Sequence, residues 1–111
     1  MPTDTTGLTA DGTWQFGVRR TFPLSTLDAW ALLHDHEDLW LGDGTVTSVT
    51  HGEVARAKLG DGTILQVRVL AAKSGATIAF HHEKLAGPGE RQASAERLNA
   101  ALDALERRAG G

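Results

Sequence analysis

Two adjoining stretches, TILQVRVLAA (63–72) and ATIAFHHEKL (76–85), alternate apolar and polar side chains over most of their length. Successive side chains of an extended chain point to opposite faces, so each stretch reads as a strand with one apolar side. Leu65, Val67 and Val69 share one face of the first, with Gln66 and Arg68 on the other. In the second, Ile78, Phe80 and His82 oppose Thr77, Ala79 and His81. Lys73–Ser74–Gly75 supplies the turn between them. Two strands with an apolar face cannot stand alone in water; they need further strands and a cover.

The further strands are legible upstream. WQFGVRRTF places Trp14, Phe16, Val18 and Phe22 on one parity, interrupted by Arg20. TVTSVT is β-branched and short, and after His51–Gly52 comes EVARAKL, then Gly60–Asp61–Gly62, a strong hairpin signal. The cover follows Gly87–Pro88–Gly89. From about Glu90 to Arg107, Ala95, Leu98, Leu102, Leu105 and Ala109 recur at steps of three and four, a single helical stripe. Glu96, Arg97, Asp103, Glu106 and Arg107 occupy the opposite face, and Arg107–Arg108 suits the negative end of the helix dipole. A shorter helix is expected from about Thr26 to His34. Ser25 caps it, Asp28 reaches back in a weakened capping box, and Leu27, Trp30 and Ala31 share one face, with Leu33 and His34 close to it. A second turn through Glu37 to Leu41 ends at Gly42 and Gly44. The order predicts an α+β domain in which a curved antiparallel sheet of about five strands grips a long C-terminal helix. Its expected extent is residues 13–108, with a flexible Thr/Asp/Gly-rich arm at 1–12 and a short flexible tail at 109–111.

With 111 residues the chain has material for one domain, one core and one modest pocket. A net charge of −3 with acids and bases interleaved argues against nucleic acid or an anionic membrane as partner, since both require a basic face. Without cysteine there is no disulfide, thiolate metal site or cysteine nucleophile. MPTDTTGLTADG lacks the basic and apolar segments of a secretory signal, and no apolar run approaches the ~20 residues of a membrane span. A cytoplasmic protein is the expectation.

HDHEDLWLGDG (34–44) packs two histidines, four carboxylates and a tryptophan into one segment. His34 and His36 point to different sides of a helix, and neither pairs at i, i+4 with another histidine. A polar corner anchored by Trp40 is therefore favoured over a metal site. Of His81 and His82 only one can face the core, and parity with Ile78 and Phe80 selects His82. A half-buried histidine needs a hydrogen-bond partner. It is read first as a structural tie from its strand to the last helix or its loop, and second as a polar anchor or acid–base group. Ala55 and Ala57, small and alternating, either leave room between an inner strand face and a helix or allow the helix to pack closely there. No G-x-S-x-G elbow or phosphate-cradling glycine loop is present, and Ser25, Ser48, Ser74 and Ser94 stand in cap, strand, turn and helix contexts that mark none as a nucleophile.

The segments Leu27–Asp28–Ala29–Trp30, Trp40–Leu41–Gly42, Asp61–Gly62–Thr63 and His82–Glu83–Lys84–Leu85 before the final helix resemble, in order and spacing, the START-like helix-grip superfamily. Within it they are most similar to the bacterial proteins grouped with the activator-of-Hsp90-ATPase-homologue (AHSA1-like) domain, over roughly Thr13 to Arg108. The chain departs from that pattern in its short length, its smaller sheet and Leu98, where relatives often carry tryptophan. The resemblance implies a bent sheet gripping the last helix, with an apolar ligand between them in many members. Three readings follow. The first is a non-enzymatic domain binding an apolar small molecule, lined by Trp30, Val67, Phe80, His82, Leu98 and Leu102, with no cofactor or metal. The second is a protein-interaction or co-chaperone-type module with a filled core. The third and weakest is a cyclase or hydrolase working through His82.

Overall fold

The computed structural model describes residues 7–110; residues 1–6 of the expected arm and Gly111 of the expected tail lie outside the described residues. Five strands form one antiparallel sheet: β1 (Trp14–Phe22), β2 (Thr45–Thr50), β3 (Val54–Lys58), β4 (Ile64–Ala72) and β5 (Gly75–Leu85), in the spatial order β1-β5-β4-β3-β2. Helix α1 (Thr26–Asp35) follows β1, and a single 3₁₀ turn, Glu37–Leu39, follows α1. Helix α2 (Pro88–Gly110) comes last, beginning two residues before the expected Glu90 and including Ala109 and Gly110 of the stretch expected as tail.

Alternation sets which side chains meet. Directly opposed residues in antiparallel strands share a face, and three rows cross the inner side of the sheet. One runs Val49–Ala55–Val67–Phe80–Val18, the next Val46–Ala57–Leu65–His82–Phe16, and the third Val69–Ile78–Arg20. Two bulges make this possible. Between Val46 and Ser48, β2 carries one residue more than β3, so Val46 and Val49 face the same side despite their odd spacing. Between Trp14 and Phe16 the extra residue belongs to β5, where Lys84 adopts φ 67°. Arg20, which interrupts the apolar parity of β1, reaches across to Asp103 of α2 at 2.6 Å. At the β4–β5 turn, Gly75 has φ 151° and its α-carbon abuts the Phe22 carbonyl, leaving no space for a side chain.

Helix α2 packs mainly across β1 and also against β5, while α1 packs on β4 and β5. The α2 stripe is buried through Ser94, Leu98, Ala101, Leu102 and Leu105. Leu98, Leu102 and Leu105 have no exposed surface and join Phe22, Leu65, Val67, Ile78 and Phe80 in one core. Ser25 Oγ accepts the Asp28 amide at 3.0 Å and caps α1, as the sequence indicates. Ahead of β1, residues 7–12 turn back on the sheet: Leu8 bridges to Trp14, the Gln15 amide donates to the Gly7 carbonyl, and Asp11 pairs with Lys84 at 2.7 Å.

Leu98 sits in a filled interior, so a larger side chain has no void to enter. Leu98→Trp is expected to lower unfolding free energy by about 1–3 kcal/mol through overpacking, measured by denaturant titration. An unchanged or raised stability would mean that space lies between α2 and the sheet at this level.

Candidate functional site

The inner face of the sheet is not fully covered. Beyond α1, strands β3 and β2 extend past the helices, and a cavity of about 510 Å³ opens there. Its floor is Ala55 and Val67, its far wall Val46 and Val49 of β2, and its near wall α1 with Trp40. Sequence explains each part. Ala55 is small enough to leave depth between Val49 and Val67, its neighbours in the row. The β2 bulge turns both valines inward. Most telling is α1. The sequence marks Leu27, Trp30 and Ala31 as one helical face, yet the residues that α1 buries are Ala29 and Leu33. Leu27 is 70% exposed. Leu27, Trp30, Ala31 and His34 instead line the cavity at helical steps of three and four. Leu33 and Trp30 each touch both the core and the cavity, while Leu27 and Ala31 meet the cavity alone.

The segment 34–44 forms the corner of this wall. Trp40 Nε1 donates to the Leu33 carbonyl at 2.9 Å, Arg97 of α2 donates to the Trp40 carbonyl at 3.1 Å, and the Gly60 amide donates to Asp43 Oδ1 at 3.2 Å. Trp40 also packs against Phe80, ring centroids 6.0 Å apart. His34, Asp35 and Glu37 stand at the mouth, with His34 Nδ1 3.6 Å from Glu37 Oε1. Across the opening, His51 lies edge-on to Trp30 at 5.8 Å. Among the described residues no three His, Asp or Glu side chains converge as metal ligands would.

The six residues anticipated as a ligand lining are thus divided. Trp30 and Val67 line the cavity; Phe80 is next along the Val67 row but sealed beneath Trp40. Leu98 and Leu102 are wholly interior. The 510 Å³ space lies beside α1, away from Leu98 and Leu102.

His82 belongs to a different place. It faces inward, 5% exposed, at the floor of a second depression of about 480 Å³ rimmed by Asp43, Lys84, Glu90 and Arg97. Its Nε2 lies 2.7 Å from Thr63 Oγ1 and its Nδ1 2.7 Å from Ser94 Oγ. Asp61 Oδ1 accepts both the Thr63 hydroxyl, at 2.6 Å, and the Thr63 amide, at 2.9 Å. These bonds hold the Asp61 carboxyl below its ordinary range, the Thr63 hydroxyl contributing most. The proton positions then follow in order. A threonine hydroxyl has one hydrogen, and here it goes to the carboxylate. Thr63 Oγ1 therefore accepts from His82 Nε2–H, and the unprotonated Nδ1 accepts the Ser94 hydroxyl. Burial, and next the Arg97 charge, push the His82 pKa down, so the neutral ring is the one folded.

Ser94 was read from sequence as a helix serine without special surroundings; the structure corrects this. A signal was present: Ser94 stands four residues before Leu98, on the buried stripe, where a hydroxyl needs a partner. The relay ties the β3–β4 hairpin, β5 and α2 together. Both imidazole nitrogens are engaged, and Ser94 is only 4% exposed, so this chemistry is a structural clasp.

With the geometry in place, its class is clear: an open five-stranded antiparallel sheet, a helix after the first strand and a long helix across one face define an α+β helix-grip fold of the START-like kind. Solved structures share it. CalU16 from Micromonospora echinospora superposes with a TM-score of 0.72 at 11% identity, over 89% of this chain and 76% of that one. A protein from Chromobacterium violaceum gives 0.68 at 12% identity, over 87% and 98%. An AHSA1-like protein from Aeromonas hydrophila gives 0.65 at 14% identity, over 84% and 90%. The chain thus has the AHSA1-like helix-grip fold that its sequence resembles, and the likeness is one of fold. No family model and no curated protein matches the chain.

The clasp makes stability depend on pH in a defined direction. An unfolded histidine takes its proton near 6.5, whereas folded His82 takes it at lower pH. Between those values the unfolded chain binds more protons, so unfolding free energy falls as pH drops below about 6.5 and levels off once the folded value is passed. The slope is at most about 1.4 kcal/mol per pH unit. Asp61 adds its own loss only near and below 3.8. In His82→Gln the decline between pH 6.5 and 5 should shrink, read by guanidinium unfolding across that range. A full slope persisting in the variant would assign it to another group.

Proposed function

We propose that this is a non-enzymatic START-like domain that binds an apolar small molecule between α1 and strands β2–β4. One observation carries the reading: α1 presents an apolar face, Leu27–Trp30–Ala31, to a 510 Å³ cavity walled opposite by Val46 and Val49. Ligand cavities commonly fall between about 300 and 1,000 Å³, are mostly apolar, and carry a few polar groups at one end. Here those groups are His34, Asp35, Glu37 and His51. Exposed Leu27 and Val49 cost the free protein contact with water, which an occupant would relieve.

A second reading, a protein-interaction module of the co-chaperone kind, draws on the same rim. Leu27, Val46 and Val49 are exposed, and every residue of the edge strand β2 is accessible. A partner's apolar side chain entering the mouth would meet the same surface.

A thermal-shift screen with apolar metabolites separates the two. A ligand at a hundred times its dissociation constant adds about 2.7 kcal/mol, which raises the midpoint of a domain this size by more than about 10 °C. Ala55→Phe puts a ring on the cavity floor. It is expected to abolish the shift while far-UV circular dichroism stays native. A shift that survives Ala55→Phe would place the ligand elsewhere, and the absence of any shift across the screen would favour the partner reading.

A further inference from the structure

The charges around the cavity are all of one sign. Thirteen residues line it, among them two acidic side chains, Asp35 and Glu37, two imidazoles, His34 and His51, and no lysine or arginine. Both carboxylates stand where α1 ends, Asp35 as its last residue and Glu37 two positions on. A helix carboxyl end carries partial negative charge, so the backbone field there has the same sign as the side chains. Beside them are aromatic rings. Trp30 is half-buried on the wall with His51 edge-on to it, and Trp40 stands behind. The negative faces of such rings favour a nearby cation.

We propose, building on the apolar-ligand reading, that the natural occupant is a hydrophobic amine or other organic cation, its apolar body on Ala55 and Val67 and its charged head at the mouth beside Asp35 and Glu37. A carboxylate ligand would set its charge against two carboxylates and a helix carboxyl end, with only His34 and His51 to answer it. His34 is already beside Glu37. A neutral apolar molecule gains the floor and walls without the head contact. Ammonium binding leaves the Asp35 and Glu37 oxygens as acceptors of charge-assisted hydrogen bonds.

The test is a matched series on one skeleton: 4-phenylbutylamine, 4-phenylbutanol and 4-phenylbutyrate, titrated at pH 8 and low salt by calorimetry and Trp fluorescence. The amine is expected to bind about three- to fivefold more tightly than the alcohol, the size of a part-exposed ion pair, and the carboxylate more weakly than both. The preference should fade as salt is added. In the double variant Asp35→Asn, Glu37→Gln the ratio of amine to alcohol affinity should fall to about one. Equal binding of amine and alcohol, tighter binding of the carboxylate, or a ratio unchanged in the double variant overturns the cation assignment and leaves the apolar cavity standing. If none of the three binds while the protein is folded, the cavity reading fails and the cation assignment with it.

Discussion

The coverage of one sheet face by two helices sets what this molecule can do. Five strands at about 4.8 Å spacing present a face about 24 Å wide. A helix with its side chains is about 10–12 Å across. Two helices could nearly span that width if laid side by side, but both crowd toward the β1–β5–β4 end. Helix α1, ten residues long, reaches about 15 Å. The β3–β2 end is left over, and the cavity lies there. Its position follows from how the helices are held, and two sets of hydrogen bonds join the Arg20–Asp103 pair in holding them. Arg97 ties α2 to the Trp40 carbonyl, while the indole of the same tryptophan ties back to α1 at Leu33. The Thr63–His82–Ser94 clasp then anchors α2 to the sheet from the other side.

That arrangement divides labour between the two polar clusters. His82 stands in the same row as Val46, Ala57 and Leu65, yet on β5, one strand beyond the Val67 floor of the cavity. Every hydrogen of its relay is committed in one direction, ending on a carboxylate. Such a chain is costly to leave half-satisfied in a low-dielectric interior, so it selects one packing of helix against sheet. The histidines of the 34–51 region are in the opposite situation. His34 and His51 are exposed at a mouth and hold nothing in the core, which leaves them available to an occupant.

Most of the fold was legible because its information is local and periodic. Parity in β4 and β5 identified His82 as the inward histidine, and the three–four spacing of Leu98, Leu102 and Leu105 identified the helix that covers them. The cavity was less legible for physical reasons. The stripe Leu27–Trp30–Ala31 was seen, but periodicity says that a face is apolar and not what lies against it. Its default destination is the core, and here Ala29 and Leu33 had taken that place. The inward turn of both Val46 and Val49 depends on one inserted residue in β2, which strict alternation cannot show. Phe80, Leu98 and Leu102 were grouped with Trp30 and Val67 because they share the inner face. Whether neighbours on a face meet a void or one another depends on helix position, a property of the tertiary structure. Ser94 escaped for a related reason, since a serine on an apolar stripe is informative only once its partner across the interface is known.

Structures with the same fold differ from this chain at more than eight positions in ten, with identities of 11–14%. The architecture therefore tolerates wholesale replacement of side chains. Within such a frame the least constrained surface is the one that the core does not use. In this chain that surface comprises the cavity-facing side of α1, the bulged edge strand and the α1 carboxyl end, none of which contributes to packing beneath α2. A helix that places Leu27, Trp30 and Ala31 along the cavity gives up polar contact with water there. The core gains nothing from Leu27 in return, since it is 70% exposed. The apolar character of that face fits the proposed occupant better than it serves the free chain's own packing.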